Sequence, residues 1–320
     1  MHSMFPGSFY SNDPKIVLDD EWLIDVDKIE SLKQYSKVVL DFSSEHWGDV
    51  VYDIYDSLTK HGINFVLLSY NPLDHNTRPC LFFFPHWYHW GRKSFRKVTV
   101  NHGSKKYTWG CLNANPRPHR IFNYLYSRSK SYFDQAYFTM YNRDEDDEVF
   151  AKSTLDADSL AEWDIVKQTL PHGKVLGITY NNFISPDTVI DLPAITDAYI
   201  NLVTETTVIS NVFVTEKTWK PISSGQLFLI LGNPGTIAHL RSLGVDVFDD
   251  VVDHSYDSEP DWKNRIRMIH RELEKLLNSN PEQLYSSTQQ RRQSNIEKFY
   301  LGEFDNQYYQ TILACINDQL

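Results

Sequence analysis

The sequence predicts an α/β protein made of two doubly wound domains that face a cleft, and three observations predict it. First, Lys37–Phe42 (KVVLDF) is an apolar run of strand length, Asp49–His61 carries Val50, Val51, Ile54 and Leu58 at helical spacing, and Ile63–Ser69 (INFVLLS) is a second apolar run. Strand, helix and strand in that order imply parallel strands joined by a right-handed crossover. Second, the pattern restarts at Tyr107–Leu112 (YTWGCL), with helical spacing over His119–Ser129 and a strand over Gln135–Tyr141. Third, a basic, glycine-containing stretch, Arg92–Lys106, separates the two units. The expected division is a first domain over residues 1–104, a second over 105–290, and C-terminal helices over 291–320 that pack back toward the first.

Residues 1–34 read as a polar arm with one short helix. Gly62 stops the first long helix, and Asn71-Pro72 marks the loop after the second strand. Residues 79–92 (PCLFFFPHWYHWGR) form an aromatic block. In the second unit, Asn113–Pro118 is a loop, Arg143–Glu148 an acidic loop, and residues 155–173 hold a short helix and a turn. Ala198–Thr204 (AYINLVT) and Leu227–Leu231 (LFLIL) are strands, and short helices follow them at Glu216–Ser224 and Thr236–Leu243. Trp262–Asn278 is amphipathic, with Ile266, Ile269, Leu273, Leu276 and Leu277 along one side, and the last helices span residues 282–298 and 304–317.

The 320 residues suit two domains of ordinary size and bury enough apolar surface to need no covalent staples. A net charge of -11 repels nucleic acid and anionic membrane on average, which argues against a DNA-coating protein but not against one local basic patch. Cys80, Cys111 and Cys315 are odd in number and widely spaced, so neither a disulfide framework nor a zinc site is expected. Met1–Pro14 shows no basic segment followed by an apolar run, and no apolar run is long enough to span a bilayer. A cytoplasmic protein with no membrane span and no obligate protein partner is the expectation. His86 and His89 have metal-like spacing but no third ligand, and the acidic loop reads as solvated charge, so no metal is expected.

The most informative stretch runs from Tyr199 to Asp249. A strand ends in Glu205, a polar loop leads to Thr215 as a helix N-cap, and Glu216 and Lys217 fill the first helical turn. Gly225 ends that helix, an apolar strand follows, and Gly232-Asn233-Pro234-Gly235 turns into another helix. A carboxylate can accept both hydroxyls of a ribose, and a lysine beside helical N–H groups can hold a phosphate. The helix dipole adds only ~0.3–1 kcal/mol at an exposed site, so the lysine and direct hydrogen bonds must supply most of the affinity. Thr-Glu-Lys is equally an ordinary capping pattern with a solvated charge pair.

The order acidic residue, loop, aromatic-x-Thr-Glu-Lys, short helix, glycine, apolar strand and Gly/Pro turn resembles the donor-binding signature of α-1,3-fucosyltransferases. Thr204-Glu205-Thr206-Thr207 stands where that family has Phe-Glu-Asn-Ser, and Phe213-Val214-Thr215-Glu216-Lys217 matches its Thr-Glu-Lys segment. Cys111–Arg120 matches the family's opening of the donor domain more loosely, through Asn113, Asn115, Arg117 and Arg120. Thr206 departs from the family's asparagine, and Ser224-Gly225-Gln226-Leu227 departs from its Pro-Val strand start. The resemblance implies an inverting, metal-independent glycosyltransferase of the GT-B type, with two Rossmann-like domains and a nucleotide-sugar as co-substrate rather than a bound cofactor. Glu216 would then contact the ribose and Lys217 the donor phosphates, with Glu205, Thr215, Asn113, Arg117 and Arg120 completing the donor site.

Inverting transfer needs a base on the acceptor side, at the end of a strand in residues 1–104. Asp41, Glu45 and Asp49 follow the first strand, and Glu45 is the expected base. In the aromatic block, Trp87, Tyr88 and Trp90 are the expected acceptor-stacking residues. The acceptor is a glycan or modified DNA. In the second case the substrate would be a hydroxymethylated pyrimidine, and Arg92, Lys93, Arg96, Lys97, Lys105 and Lys106 would form a local basic path. A non-catalytic nucleotide- or carbohydrate-binding module is a further alternative. A different phosphate-ligand enzyme lacks support, because neither a Walker motif nor G-x-G-x-x-G occurs.

Overall fold

The computed structural model describes residues 16–18, 32–34, 37–44, 49–75, 77–95, 100, 103–113, 116–140, 154–169 and 193–316. Two four-stranded parallel sheets organise them. The first comprises β1 (Ile16–Leu18), β2 (Val38–Phe42), β3 (Phe65–Ser69) and β4 (Leu81–Phe83), in that spatial order. Strand β1 corrects the reading of the N-terminal segment as a polar arm with a helix: its three residues pair in parallel with Val38, Val39 and Leu40. A run that short carries no detectable period, so pairing with an existing strand edge decides its conformation.

Side-chain alternation along these strands gives the first sheet two apolar faces, as both-face burial of a parallel sheet requires. Val38, Leu40, Phe42, Phe65, Leu67 and Leu81 pack on one side with Val51, Tyr55 and Leu58 of helix α1 (Val50–Lys60). Val39, Val66, Leu68 and Phe82 on the other side take Ile312, Cys315 and Ile316 of the far C-terminal helix Asn306–Ile316. Lys37 secures that docking by donating from Nζ to the Cys315 carbonyl at 2.8 Å, a cation at a helix C-terminus. The aromatic block divides: Leu81–Phe83 is β4, and His86–Ser94 is helix α2.

The second sheet has the order β6-β5-β7-β8, from β5 (Tyr107–Leu112), β6 (Ala136–Thr139), β7 (Ala198–Thr204) and β8 (Leu227–Leu231). The chain leaves β5 for β6 on one side and then crosses to β7 on the other. That reversal opens a crevice at the carboxyl ends of β5 and β7, the place where doubly wound sheets bind ligands. The helices here are α3 (Pro118–Arg128), α4 (Ala157–Val166), α5 (Glu216–Ser223), α6 (Thr236–Ser242) and α7 (Trp262–Asn278). Helix α7 packs on β8 and α3, burying Ile266, Ile269, Leu273 and Leu276 as its sequence pattern requires.

The C-terminal segment breaks at Thr288 into α8 (Pro281–Ser287) and α9 (Gln289–Leu301), followed by α10 (Asn306–Ile316). One continuous helix over 282–298 was expected; instead the Thr288 hydroxyl donates to the Leu284 carbonyl at 2.9 Å and closes the first helix. Of these three helices α10 packs on the first sheet, whereas α9 packs on α5 and, through Phe299, on Tyr88 of α2. Gly225, at φ +64°, lets α9 approach: a Cβ there would lie 2.6 Å from Cδ1 of Ile296.

The two sheets are joined through rings. Tyr88 of α2 lies 4.9 Å from Trp219 of α5 and 5.4 Å from Phe299 of α9, while Trp219 also meets Phe304 at 6.0 Å. Gly91 keeps this junction tight, since a Cβ there would stand 2.8 Å from the Phe95 ring and 3.2 Å from Phe299. No helix among the described residues is long and apolar enough to cross a membrane.

Buried histidines make the fold acid-sensitive. Burial pushes His239 down to about 4 and His270 down to about 3, from an ordinary 6.5. His270 is held neutral between the Tyr132 hydroxyl at 2.9 Å and Asn123 Oδ1 at 2.9 Å. Between the two pKa values of each residue the unfolded chain binds the proton and the folded one does not. Stability is therefore full above ~pH 6.5 and declines as pH falls toward the folded values. The expected result is a melting temperature that drops by several degrees between neutral pH and ~pH 4, less steeply in His239→Gln, measured by calorimetric scans across pH.

Candidate functional site

The crevice of the second sheet is built first from strand ends. Asn113 follows β5, accepts at Oδ1 from the Thr204 hydroxyl at 2.6 Å, and donates from its backbone N to Thr139 Oγ1 at 3.0 Å. It thereby fastens the ends of β5, β6 and β7, and it is buried. The amide, expected to contact a donor, is bonded into the frame that holds the loops.

Glu205, immediately after β7, is fully buried. Its Oε1 accepts from the Thr215 backbone N at 3.0 Å and the Thr218 hydroxyl at 2.6 Å, and its Oε2 from the Thr215 hydroxyl at 2.6 Å. The carboxylate thus ties the end of β7 to the N-terminus of α5 and closes the intervening loop. Its lone pairs face protein donors, the Thr206 backbone N among them at 3.2 Å, so it positions the loop that leads into α5. Thr215 is likewise buried, its hydroxyl bonded to Glu205 and capping the Lys217 N–H at 3.4 Å.

Lys217 reaches the crevice, with 30% of its side chain exposed. Its Nζ lies 2.6 Å from Glu216 Oε1, 3.3 Å from the Thr206 hydroxyl and 3.3 Å from the Thr215 hydroxyl. Arg117, the N-cap residue of α3, comes from the opposite wall and donates to the Thr206 carbonyl. Two cations from different loops therefore converge on Thr206. Glu216 is only 6% exposed on its side chain, and burial opposes its ionisation, but the charges of Lys217 and Lys220 hold its carboxyl below the usual range. A buried anion of this kind aims the Lys217 ammonium.

Arg120 sits deeper, donating from Nη2 to the Glu205 carbonyl at 3.2 Å, so it clamps the end of β7 where a contact to the leaving diphosphate was expected. His119 adds a bond from Nε2 to the same carbonyl at 2.9 Å. Because a carbonyl only accepts, Nε2 carries the proton, and burial, with Arg120 beside it, keeps the ring neutral by driving its pKa well down. Seven expected donor residues thus gather at one strand switch: Lys217 and Arg117 at the surface, Glu216 just beneath them, and Asn113, Arg120, Glu205 and Thr215 as the buried frame. Asn115 lies outside the described residues.

The helix N-termini offer little open backbone. On α5 the Lys217 N–H is capped by Thr215 Oγ1, and the Thr218 N–H donates to the Thr215 carbonyl at 3.2 Å. On α6 the carboxylate of Asp257 takes the N–H groups of Ile237 at 3.0 Å and Ala238 at 3.1 Å. Anion binding therefore rests on the side chains of Lys217 and Arg117. Asp257, His119 and Thr218 escaped the sequence reading because they act across long sequence separations, and no local pattern marks them. Asn233 lay within the stretch read but was not singled out; its Oδ1 accepts from Ser210 N at 2.9 Å and pins the loop after β7.

The acceptor side differs more. Tyr88 is fully buried, its hydroxyl 3.3 Å from the Phe299 carbonyl, so it builds the junction between sheets and cannot stack on an acceptor. Trp87 and Trp90 are half-buried against each other at 5.4 Å, and Trp87 Nε1 donates to the Ser44 carbonyl at 2.9 Å. Glu45 lies outside the described residues. A narrow crevice separates the carboxyl ends of β2, β3 and β4 from the loop before α5; Ser43, Tyr70, His86, Phe213, Val214 and His239 line it. Two residues of the expected basic path have internal partners. Arg92 packs over the Tyr88 ring and donates to the Tyr300 carbonyl, and Lys105 donates to the Thr196 carbonyl at 2.6 Å, with burial pulling its pKa down to about 8. Arg96 and Lys97 lie outside the described residues.

Among the described residues no group of three histidine, cysteine or acidic side chains is placed to hold a metal. No known protein family matches the chain, and no curated protein matches it.

Proposed function

We propose that the chain is a glycosyltransferase that moves a sugar from a nucleotide-sugar to an acceptor hydroxyl, with inversion and without a metal. The observation that carries this reading is the convergence of Lys217 and Arg117 on Thr206 at the strand switch of the second sheet, over the buried carboxylate of Glu216. Two cations held apart by rigid loops suit a diphosphate, whose charge grows as the glycosidic bond breaks. In this reading residues 1–104 form the acceptor side and 105–290 the donor side of a GT-B arrangement, with the crevice between β2–β4 and the loop before α5 as the meeting point. The internal commitments of Arg92 and Lys105 favour a glycan or small hydroxyl acceptor over duplex DNA.

The test is a thermal-shift panel of GDP-, UDP-, ADP-, CMP- and dTDP-linked sugars on wild type and Lys217→Ala. One nucleotide class should stabilise the wild type by about 2.7 kcal/mol at a hundredfold excess over Kd, and the shift should vanish in the variant. Absence of a shift with every donor, or an equal shift in both proteins, overturns the assignment.

A further inference from the structure

We infer that His86, oriented by Asp41, is the general base that deprotonates the acceptor; this rests on the glycosyltransferase reading. Asp41 is in β2 and His86 opens α2, so two loops at the carboxyl edge of the first sheet bring them together. Asp41 Oδ2 stands 3.6 Å from His86 Nδ1, with 12% and 5% of the two side chains exposed. The other oxygen, Oδ1, accepts from the Ser43 backbone N at 3.0 Å and from the Ser43 hydroxyl, which fixes the carboxylate plane. Burial opposes the charge on Asp41, yet the adjacent His86 ring and the Ser43 bonds hold its carboxyl below the usual range, so it stays ionised at neutral pH.

A carboxylate behind one ring nitrogen is the arrangement that orients an imidazole and stabilises it once protonated. Ser43 and His86 line the crevice opposite Val212, Phe213 and Val214, the residues that lead into Thr215 and Lys217. His86 Nδ1 is enclosed and faces Asp41 at ion-pair distance without a hydrogen bond, while Nε2 bonds to no described residue and is not sealed. The other titratable side chains lining this crevice are Tyr70 and His239, and His239 is kept neutral by its low pKa.

A second His–Asp pair supplies the contrast. His89, one helical turn further along α2, pairs with Asp305, and its ring stacks on Phe84 at 4.8 Å; His86 and His89 are both buried. The second pair links α2 to the start of α10 and does not line the crevice. The pair at Asp41 borders the crevice.

In the step, an acceptor hydroxyl gives its proton to His86 Nε2 as its oxygen bonds to the anomeric carbon. The bond from that carbon to the diphosphate oxygen breaks, and the electron pair leaves on the diphosphate between Lys217 and Arg117. The imidazolium is stabilised by Asp41 and later releases its proton to solvent. Asp41 is a positioning residue.

The experiment measures release of nucleoside diphosphate from the donors of the thermal-shift panel, with water as acceptor. Wild type is compared with His86→Gln, His86→Ala with and without added imidazole, and Asp41→Asn. The expected result is donor binding within about twofold of wild type in both His86 variants, a loss of turnover on the order of a hundredfold or more, and partial recovery of His86→Ala by imidazole. Asp41→Asn should lower kcat and shift its pH profile while leaving donor binding in place. Near-wild-type turnover by His86→Gln overturns the inference, as does parallel loss of donor binding and turnover, which marks a structural role. If wild type itself binds no donor, the glycosyltransferase reading falls first; if wild type and His86→Gln turn over alike, only the base assignment falls.

Discussion

Replacing Glu205 with alanine is expected to lower stability by about 3–6 kcal/mol and to abolish the lysine-dependent response to nucleotides. The carboxylate accepts four bonds from the loop and cap of α5, and it is fully buried. Removing it leaves the Thr215 N–H and the hydroxyls of Thr215 and Thr218 in a dry interior, and each buried group without a partner costs about 1–3 kcal/mol. Glu205→Gln keeps the shape but turns an amide NH₂ toward groups that themselves donate, so it should recover only part of the loss. Urea unfolding and the nucleotide panel measure the two effects side by side. A variant of wild-type stability would show that the loop is held by other contacts.

Trp219→Ala is the second large effect. The indole is buried at the junction, and truncating such a ring costs about 3–5 kcal/mol through lost burial and the cavity left behind. Its particular consequence lies in geometry. Trp219 touches Tyr88, Phe299 and Phe304 and also borders the crevice, so its loss loosens the first sheet against the second. On the proposed reading turnover should fall more than donor binding, because the expected donor residues all belong to the second sheet's loops and helices. Leu273→Ala, buried in α7 against β8, is the control: it should cost a comparable ~2–5 kcal/mol and leave turnover per folded molecule unchanged. Denaturant curves for both variants, followed by activity normalised to folded fraction, check the pair. Equal behaviour of the two would show that the ring junction does not couple stability to geometry.

Much of this arrangement is legible in sequence because it rests on local physics. Tyr107–Leu112, Ala198–Thr204, Leu227–Leu231 and Trp262–Asn278 have the bounds their apolar periods demand, since burial on both faces leaves no other reading for runs of that length. Clustering of the expected donor residues is legible too, because each follows a strand end and the strand order brings those ends together. Their division of labour is not. Whether Glu205 meets a ligand or protein donors depends on partners 10 and 13 residues away and on how the loop closes. Tyr88 looks like a ligand-facing ring in an aromatic block, and only the approach of α5 and α9 buries it. The pairing of Asp41 with His86 has no local signature at all, because neighbouring strand ends create it.

Helix α10 also sets an order of events for the newborn chain. It covers the second apolar face of the first sheet, and Cys80 and Cys315, in contact there, are 235 residues apart in sequence. At synthesis rates of about 5–20 residues per second, that face waits roughly 10 to 50 seconds for its cover. Until then Val39, Val66, Leu68 and Phe82 form an uncovered apolar surface on strands already made, the kind of surface that chaperones occupy and that aggregates without them. A chain cut short before α10 would hold every strand of both sheets, yet one face of its first sheet would stay uncovered.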